Sequence, residues 1–280
     1  MHIHWFPGHM TKALRLMEEN TKAVDAVVYL LDARAPFSCV NDSFSGIIGG
    51  KPVLYVLNKV DLADKKKTDK WLAYFSKNGG NAVAVNGTAA QSARVVSDAV
   101  KKLENKKAAK FDAKGVRIPT RIMVLGVPNS GKSTLINTLC GKKSAVTGNK
   151  PGVTRGKQWV RLQNGMELMD TPGTLYPDFS DQEKAAKLAF IGSIRDEVVD
   201  SVELAKELAV QMAALYPHEF SAKYSLSDMT DADAMLADIC RKRGFLVRGG
   251  GIDEERGAKA LIDDFRKGKI CGVTLEEPDD

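Results

Sequence analysis

The sequence predicts a wound, mostly parallel α/β sheet followed by a small all-α C-terminal domain, and three observations carry that expectation. Within the first 175 residues, six short runs of β-forming residues alternate with helical patterns. Four of the six are almost continuously apolar, the pattern of strands covered by helices on both faces. After Leu175 no strong strand run follows, and helical spacing takes over.

The expected strands are "AVVYLLD" (Ala26 to Asp32), "PVLYVLN" (Pro52 to Asn58), "NAVAVN" (Asn81 to Asn86), "RIMVLGV" (Arg121 to Val127), "KQWVRLQ" (Lys157 to Gln163) and "MELMD" (Met166 to Asp170). Their alternation with helices points to crossover connections in one sheet. A lysine-rich helical stretch from Val100 to Pro119 leads into the fourth run, as a solvated helix and linker. Ser180 to Leu215 and Asp231 to Lys242 have helical spacing, with Pro177 and Pro217 marking breaks. A chain of 280 residues accommodates a main domain over 1–178 and a helical domain over 179–280.

Charge divides along the same boundary. Residues 1–178 carry 27 Lys and Arg against 14 Asp and Glu, a net +13, while 179–280 carry 14 against 21, a net −7. A basic front half suits a polyanionic partner such as nucleic acid, or else it is a solvated lysine surface. Cys39, Cys140, Cys240 and Cys271 lie far apart with no histidines at zinc-ligand spacing, so neither disulfides nor structural zinc are expected. The opening "MHIHWFPGHM" lacks the apolar core of a signal peptide, and no uncharged run approaches a membrane span. The expectation is a reduced, soluble, cytoplasmic protein with no membrane contact.

Chemistry enters with "GVPNSGKS", Gly126 to Ser133, which satisfies G-x-x-x-x-G-K-[ST] between an apolar strand and the helical "TLINTLCG". Its glycines let backbone N–H groups from Asn129, Ser130, Gly131, Lys132, Ser133 and Thr134 close around phosphates at a helix N-terminus. Lys132 reaches the β- and γ-phosphates and Ser133 is placed to ligate Mg²⁺. This loop alone does not separate ATP from GTP. Asn58-Lys59-Val60-Asp61 does: Asp61 can accept from the guanine N1–H and exocyclic amine, whereas adenine would face its carboxylate with an acceptor. Lys59 can lay its stem along the base, and Asn58 can tie the two loops together. Asp170-Thr171-Pro172-Gly173 suits a loop that holds the metal through water at Asp170 and meets the γ-phosphate at the Gly173 N–H. Thr154, in "GNKPGVTRGKQW", is the threonine best placed to complete the Mg²⁺ shell, with Thr147 as the alternative.

Asn58 to Asp61, then Gly126 to Ser133, then Thr154, then Asp170 to Gly173 is the motif order of the circularly permuted GTPases. With "WFPGHM", "LLDARAP" and "FLVRGGGIDEERGAKALIDDFRKGKICG", the chain resembles the bacterial ribosome biogenesis GTPase A (YlqF-like) family over essentially its full length. The resemblance implies a circularly permuted P-loop GTPase domain that binds GTP and GDP with Mg²⁺ and hydrolyses GTP. It further implies late assembly of the large (50S) ribosomal subunit, with the helical domain on ribosomal RNA, and a monomer in solution. Permutation leaves such a pocket intact because binding loops gather at the carboxyl ends of strands whatever their order in the chain.

Three departures accompany the resemblance. The loop that supports guanine by backbone contact should follow "NAVAV", where this chain has Asn86, Gly87 and Thr88. Thr174 follows Gly173 where many GTPases place a water-positioning glutamine and the family a hydrophobic residue. The acidic C-terminal half leaves only clusters such as Arg241-Lys242-Arg243 and Arg266-Lys267-Lys269 for RNA. The family offers His9 as the group that orients the attacking water; the alternative leaves His9 exposed beside an anchor of Trp5, Phe6 and Pro7. Asn129 resembles the asparagine of potassium-stimulated GTPases, or it is a turn former. A protein without appreciable turnover, acting as a nucleotide-dependent RNA-binding placeholder, is the competing expectation.

Overall fold

The computed structural model describes residues 3, 8–103, 119–141, 158–162, 165–171, 174–175 and 181–278. Helix α1 (Gly8–Thr21) precedes β1 (Ala26–Asp32), α2 (Ser43–Ile48), β2 (Val53–Asn58), α3 (Lys65–Lys77), β3 (Asn81–Val85), α4 (Gln91–Lys102) and β4 (Arg121–Leu125). Then come α5 (Lys132–Cys140), β5 (Gln158–Arg161), β6 (Glu167–Asp170), α6 (Gln182–Phe190), α7 (Ser201–Leu215), α8 (Pro217–Tyr224), α9 (Ala232–Arg243) and α10 (Glu254–Arg266). All six strands fall inside the expected runs. Of the lysine-rich stretch, Val100 to Lys102 finish α4, and 104–118 lie outside the described residues.

In the helical region one feature matches the sequence expectation, the break at Pro217, and one differs from it. Pro217 is the first residue of α8, a position that lacks an intrahelical N–H partner in any case, so it separates two abutting helices. Helix α10 was not among the expected helices, yet it carries its own start signal: Asp253 caps it by accepting from the Arg256 N–H at 3.1 Å.

The sheet order is β3-β2-β1-β4-β6-β5, parallel throughout except for the β5–β6 pair. Every loop leaving a parallel strand at its carboxyl end therefore emerges on one edge. The chain builds outward from β1 through β2 to β3, then restarts at β4 on the other side of β1. That reversal opens a crevice outside the carboxyl ends of β1 and β4, the usual place for a ligand in an open α/β sheet.

Alternation within β1 explains its unbroken apolar sequence. Val27, Tyr29 and Leu31 face a core shared with Trp71, Phe75 and residues of the C-terminal helices, among them Phe190, Leu208 and Leu261. Val28 and Leu30 face the opposite core, built with Val96, Val100, Leu135 and Ile136 of α4 and α5. Each such aliphatic side chain contributes about 1.5–3 kcal/mol by leaving water, so both faces must be apolar. Beyond α10 the chain forms neither helix nor strand but returns to the sheet: Val273 N–H donates to Leu62 O at 3.0 Å and Leu275 N–H to Arg34 O at 2.8 Å. Among the described residues, no helix is long and apolar enough to cross a membrane.

Candidate nucleotide-binding site

The loops after β1, β2, β3 and β4 meet at the carboxyl edge, and one side chain joins three of them. Asn58 ends β2; its Nδ2 donates to Ser130 O at 2.8 Å, and its Oδ1 accepts from Gly87 N–H at 2.8 Å. The buried amide thus fixes the 126–131 loop against the loop after β3. Gly131 makes this approach possible, since it adopts φ +99° and a Cβ there would collide with Asn58 Nδ2. Thr138 of α5 adds a second tie by donating to Gly87 O at 2.7 Å.

The phosphate loop is also closed on itself. Ser130 Oγ donates to Val127 O at 2.9 Å, and the buried Lys132 ammonium donates to Gly126 O at 3.1 Å and Val127 O at 2.8 Å. Lys132 and Ser133 occupy the first turn of α5, where backbone N–H groups have no intrahelical acceptor and an anion is favoured. Asn129, at φ 58°, turns its side chain outward to donate to Gly192 O at 2.7 Å, and Ser193 Oγ donates to Pro128 O at 2.8 Å. The tip of the loop therefore rests on the turn that follows α6.

Lys59 is placed by charge. At φ 62°, it extends its ammonium to Asp32 Oδ2 at 2.9 Å and to Asn129 O at 2.6 Å. Asp32 ends β1 fully buried and is also gripped by Arg34, whose Nε and terminal nitrogen donate to the two carboxylate oxygens at 2.9 and 2.7 Å. Burial alone would raise the Asp32 pKa; the Arg34 and Lys59 charges overcome it and hold the carboxyl well below the usual range. Arg34 in turn donates to Arg266 O at 3.2 Å and stacks its guanidinium over the Phe265 ring at 5.4 Å. Neither Asp32 nor Arg34 was singled out for chemistry in the sequence, although charged residues directly after an apolar strand are a readable signal.

Asn58, Lys59, Gly87, Asn129, Ser130 and Lys132 thus share one network, while Ser133 and Thr134 stand at the start of α5 and Asp61 is exposed on the guanine-side loop. Asn86 accepts from the Thr88 N–H at 3.1 Å and Oγ1 at 2.7 Å, forming a turn beside Gly87. Asp170 ends β6, which pairs with β4 and so approaches the phosphate loop. Thr154 and Gly173 lie outside the described residues; His9 belongs to α1, with its side chain outside them.

Ser133 hydroxyl and Asp170 carboxylate oxygens are hard donors suited to Mg²⁺. Among the described residues, no group of three or more His, Cys, Asp and Glu side chains gathers to hold a metal unaided. Mg²⁺ keeps waters and substrate phosphate oxygens among its ligands. Thr174 is wholly buried, and its hydroxyl meets no hydrogen-bond partner among the described residues. The clusters expected to face RNA are largely engaged: Arg241 pairs with Asp238, Arg243 with Asp264, Arg266 with Asp196, and Lys267 and Lys269 with Asp263.

The 50S ribosome-binding GTPase family matches this chain over residues 121–237. The chain is 40% identical to ribosome biogenesis GTPase A of Bacillus cereus, covering 100% of this chain and 95% of that protein. It is 34% identical to ribosome biogenesis GTPase A of Thermotoga maritima over 99% and 95% of the two chains. It is 36% identical to mitochondrial ribosome-associated GTPase 1 of Xenopus tropicalis over 98% and 94%. In structure it is similar to GNP-bound YlqF from T. maritima, with a TM-score of 0.67 and 30% identity over 96% of this chain and 99% of that one.

Proposed function

The chain belongs to the ribosome biogenesis GTPase A family, and from that premise we propose that it hydrolyses GTP to GDP and phosphate during late assembly of the large ribosomal subunit. The observation that carries the nucleotide assignment is the Asn58 bridge, which brings a guanine loop, its supporting loop and a phosphate loop to one point. Asp61 reads the guanine edge, Gly87 supports the base from the third loop, and the 129–134 backbone with Lys132 holds the phosphates. Ser133, Asp170 and Thr154 provide the Mg²⁺ site, and the metal, when bound, neutralises charge on the β- and γ-phosphates. Lys132 assists that neutralisation, Gly173 contacts the γ-phosphate, and His9 orients the attacking water.

In this reading residues 1–178 form the GTPase domain and 179–280 the helical domain that meets ribosomal RNA, in the cytoplasm, as a monomer. Asn129 additionally serves a K⁺ ion beside the phosphates through its side-chain oxygen, while the amide nitrogen donates to Gly192 O. Rate measurements in sodium and potassium buffers test this, and equal turnover rejects it.

The decisive experiment measures phosphate release with and without large ribosomal subunits, alongside co-sedimentation with GDP and with a non-hydrolysable GTP analogue. Stimulated release and analogue-dependent co-sedimentation are expected. Negligible release under all conditions would favour the placeholder reading, to which the burial of Thr174 lends support.

A further inference from the structure

The C-terminal residues 272–277 lie between two loops of the nucleotide-binding edge, although more than 200 residues separate them in the chain. On one side they bond the segment that continues from Asp61. Val273 N–H donates to Leu62 O at 3.0 Å, and Asp64 N–H donates to Thr274 Oγ1 at 3.2 Å. Gly272 lies so close to Ala63 that a Cβ would stand 2.6 Å from its carbonyl oxygen. On the other side they bond the loop after β1. Thr274 Oγ1 donates to Ala33 O at 2.9 Å, Leu275 N–H donates to Arg34 O at 2.8 Å, and the buried Glu276 carboxylate accepts from Phe37 N–H at 2.7 Å and Ser38 N–H at 3.1 Å.

One hydroxyl therefore spans both loops. Thr274 Oγ1 accepts a hydrogen bond from the guanine-side loop and donates one to the β1 loop, and Thr274 is wholly buried. The helical region holds the same residue: Tyr216, at the junction of α7 and α8, accepts from Thr274 N–H at 2.9 Å and donates to Thr274 O at 3.0 Å. Asp64 also caps α3 by accepting from Lys67 N–H at 3.0 Å, so the loop has one end in a helix and its middle on the tail.

We propose that the C-terminal tail is a brace for base recognition, with Thr274 as the positioning residue that sets where Asp61 meets the guanine edge. The inference rests on the assignment of Asp61 as the base reader. Asp61 is exposed and makes no hydrogen bond of its own among the described residues, whereas the residues that follow it are bonded to the tail. A backbone shift of a fraction of an ångström would misalign a two-point hydrogen bond while leaving the phosphate contacts of Lys132 intact.

The test compares GDP with IDP, which lacks the exocyclic amine that a correctly placed carboxylate reads. Calorimetric dissociation constants are measured for the full chain and for Thr274→Val and Thr274→Ser. Thr274→Val is expected to lower the preference for GDP over IDP at least threefold, and Thr274→Ser, which keeps the hydroxyl, is expected to restore it. An unchanged preference in Thr274→Val overturns the brace, whether or not overall affinity falls, because general loosening weakens both nucleotides alike. Amide exchange on the unaltered protein guards against a variant that fails to fold. GDP is expected to slow exchange at Val273 and Leu275, and no change there overturns the proposal. Asp61→Asn should move preference from GDP to XDP; failure of that control overturns the base-reader assignment, and the inference with it, while success of the control with an unchanged GDP to IDP ratio in Thr274→Val overturns the brace alone.

Discussion

The phosphate loop at 126–131 and the guanine-side loop at 59–64 are alike in size and place, since each follows a buried strand and each contains a non-glycine residue with positive φ. They differ in what holds them. The phosphate loop is closed by its own atoms, with Ser130 and Lys132 bonding carbonyls no more than six residues away. The guanine-side loop takes its shape from elsewhere: Lys59 from the buried carboxylate of Asp32, and Leu62 and Asp64 from the tail. Phosphate has the same shape in every nucleotide, so local closure can set that loop's inner shape, while Asn58 and the turn after α6 hold its outer side. Reading one base requires two hydrogen bonds in register, and under the brace proposed above distant parts of the fold would impose that register.

The most severe way to break the guanine side is Asp32→Asn. It leaves two cations facing a neutral amide in a buried site, and unfolding in urea should show a loss of about 3–5 kcal/mol. The same ion group sets an acid limit. The Asp32 carboxyl has a lowered folded pKa, so its contribution is present above the unfolded value of 3.8 and is lost as pH falls below it. Stability curves for the two proteins should therefore converge in strong acid.

Lys132→Ala addresses the other loop. Removing a charge-assisted contact to phosphate should weaken GDP about a hundredfold, or ~3 kcal/mol, in calorimetry. Because the phosphate loop reads no base, GDP and IDP should suffer equally, and unequal losses would blur the distinction between the loops. Asn58→Ala tests the bridge between them. It strips partners from Gly87 N–H and Ser130 O, so thermal or urea unfolding should report a loss of about 2 kcal/mol.

The smallest effect is expected at Glu276. Burial pushes its carboxyl up, with the Ser38 hydroxyl, the Lys187 ammonium and the Ser38 and Phe37 N–H groups opposing the rise. A raised folded pKa means the group adds stability below the unfolded value of 4.5 and loses that contribution as pH rises through the folded value. Urea midpoints at pH 7.5 and 5 should thus shift less in Glu276→Gln than in the unaltered chain. An identical shift in both proteins would remove Glu276 from the pH response.

Much of this was legible in the residues. Strands covered on both faces announce themselves as apolar runs, so β1, β2 and β4 were visible, and so was Asn58 as the tie between loops, because the motif places an amide at the end of a strand. The glycine that lets that amide approach, Gly131, was visible as part of the phosphate motif and not as the neighbour of Asn58. Helix α10 was not expected from the sequence; a glycine weakens a helical pattern, and Gly257 is where α10 meets Cys240 of α9. The basic clusters in the acidic half looked available to RNA because sequence shows charges along the chain; their carboxylate partners come from other turns and other helices.

The sequence by itself determined the wound sheet and the order in which a permuted chain supplies its loop motifs, because each depends on residues that are neighbours along the chain. Only the tertiary structure decided that Asp32 anchors Lys59, that Arg34 leans on Phe265, and that Thr274 spans two loops of the site. Those contacts join residues brought together by folding of the whole chain, and no local pattern of side chains encodes a hydrogen bond across 210 positions.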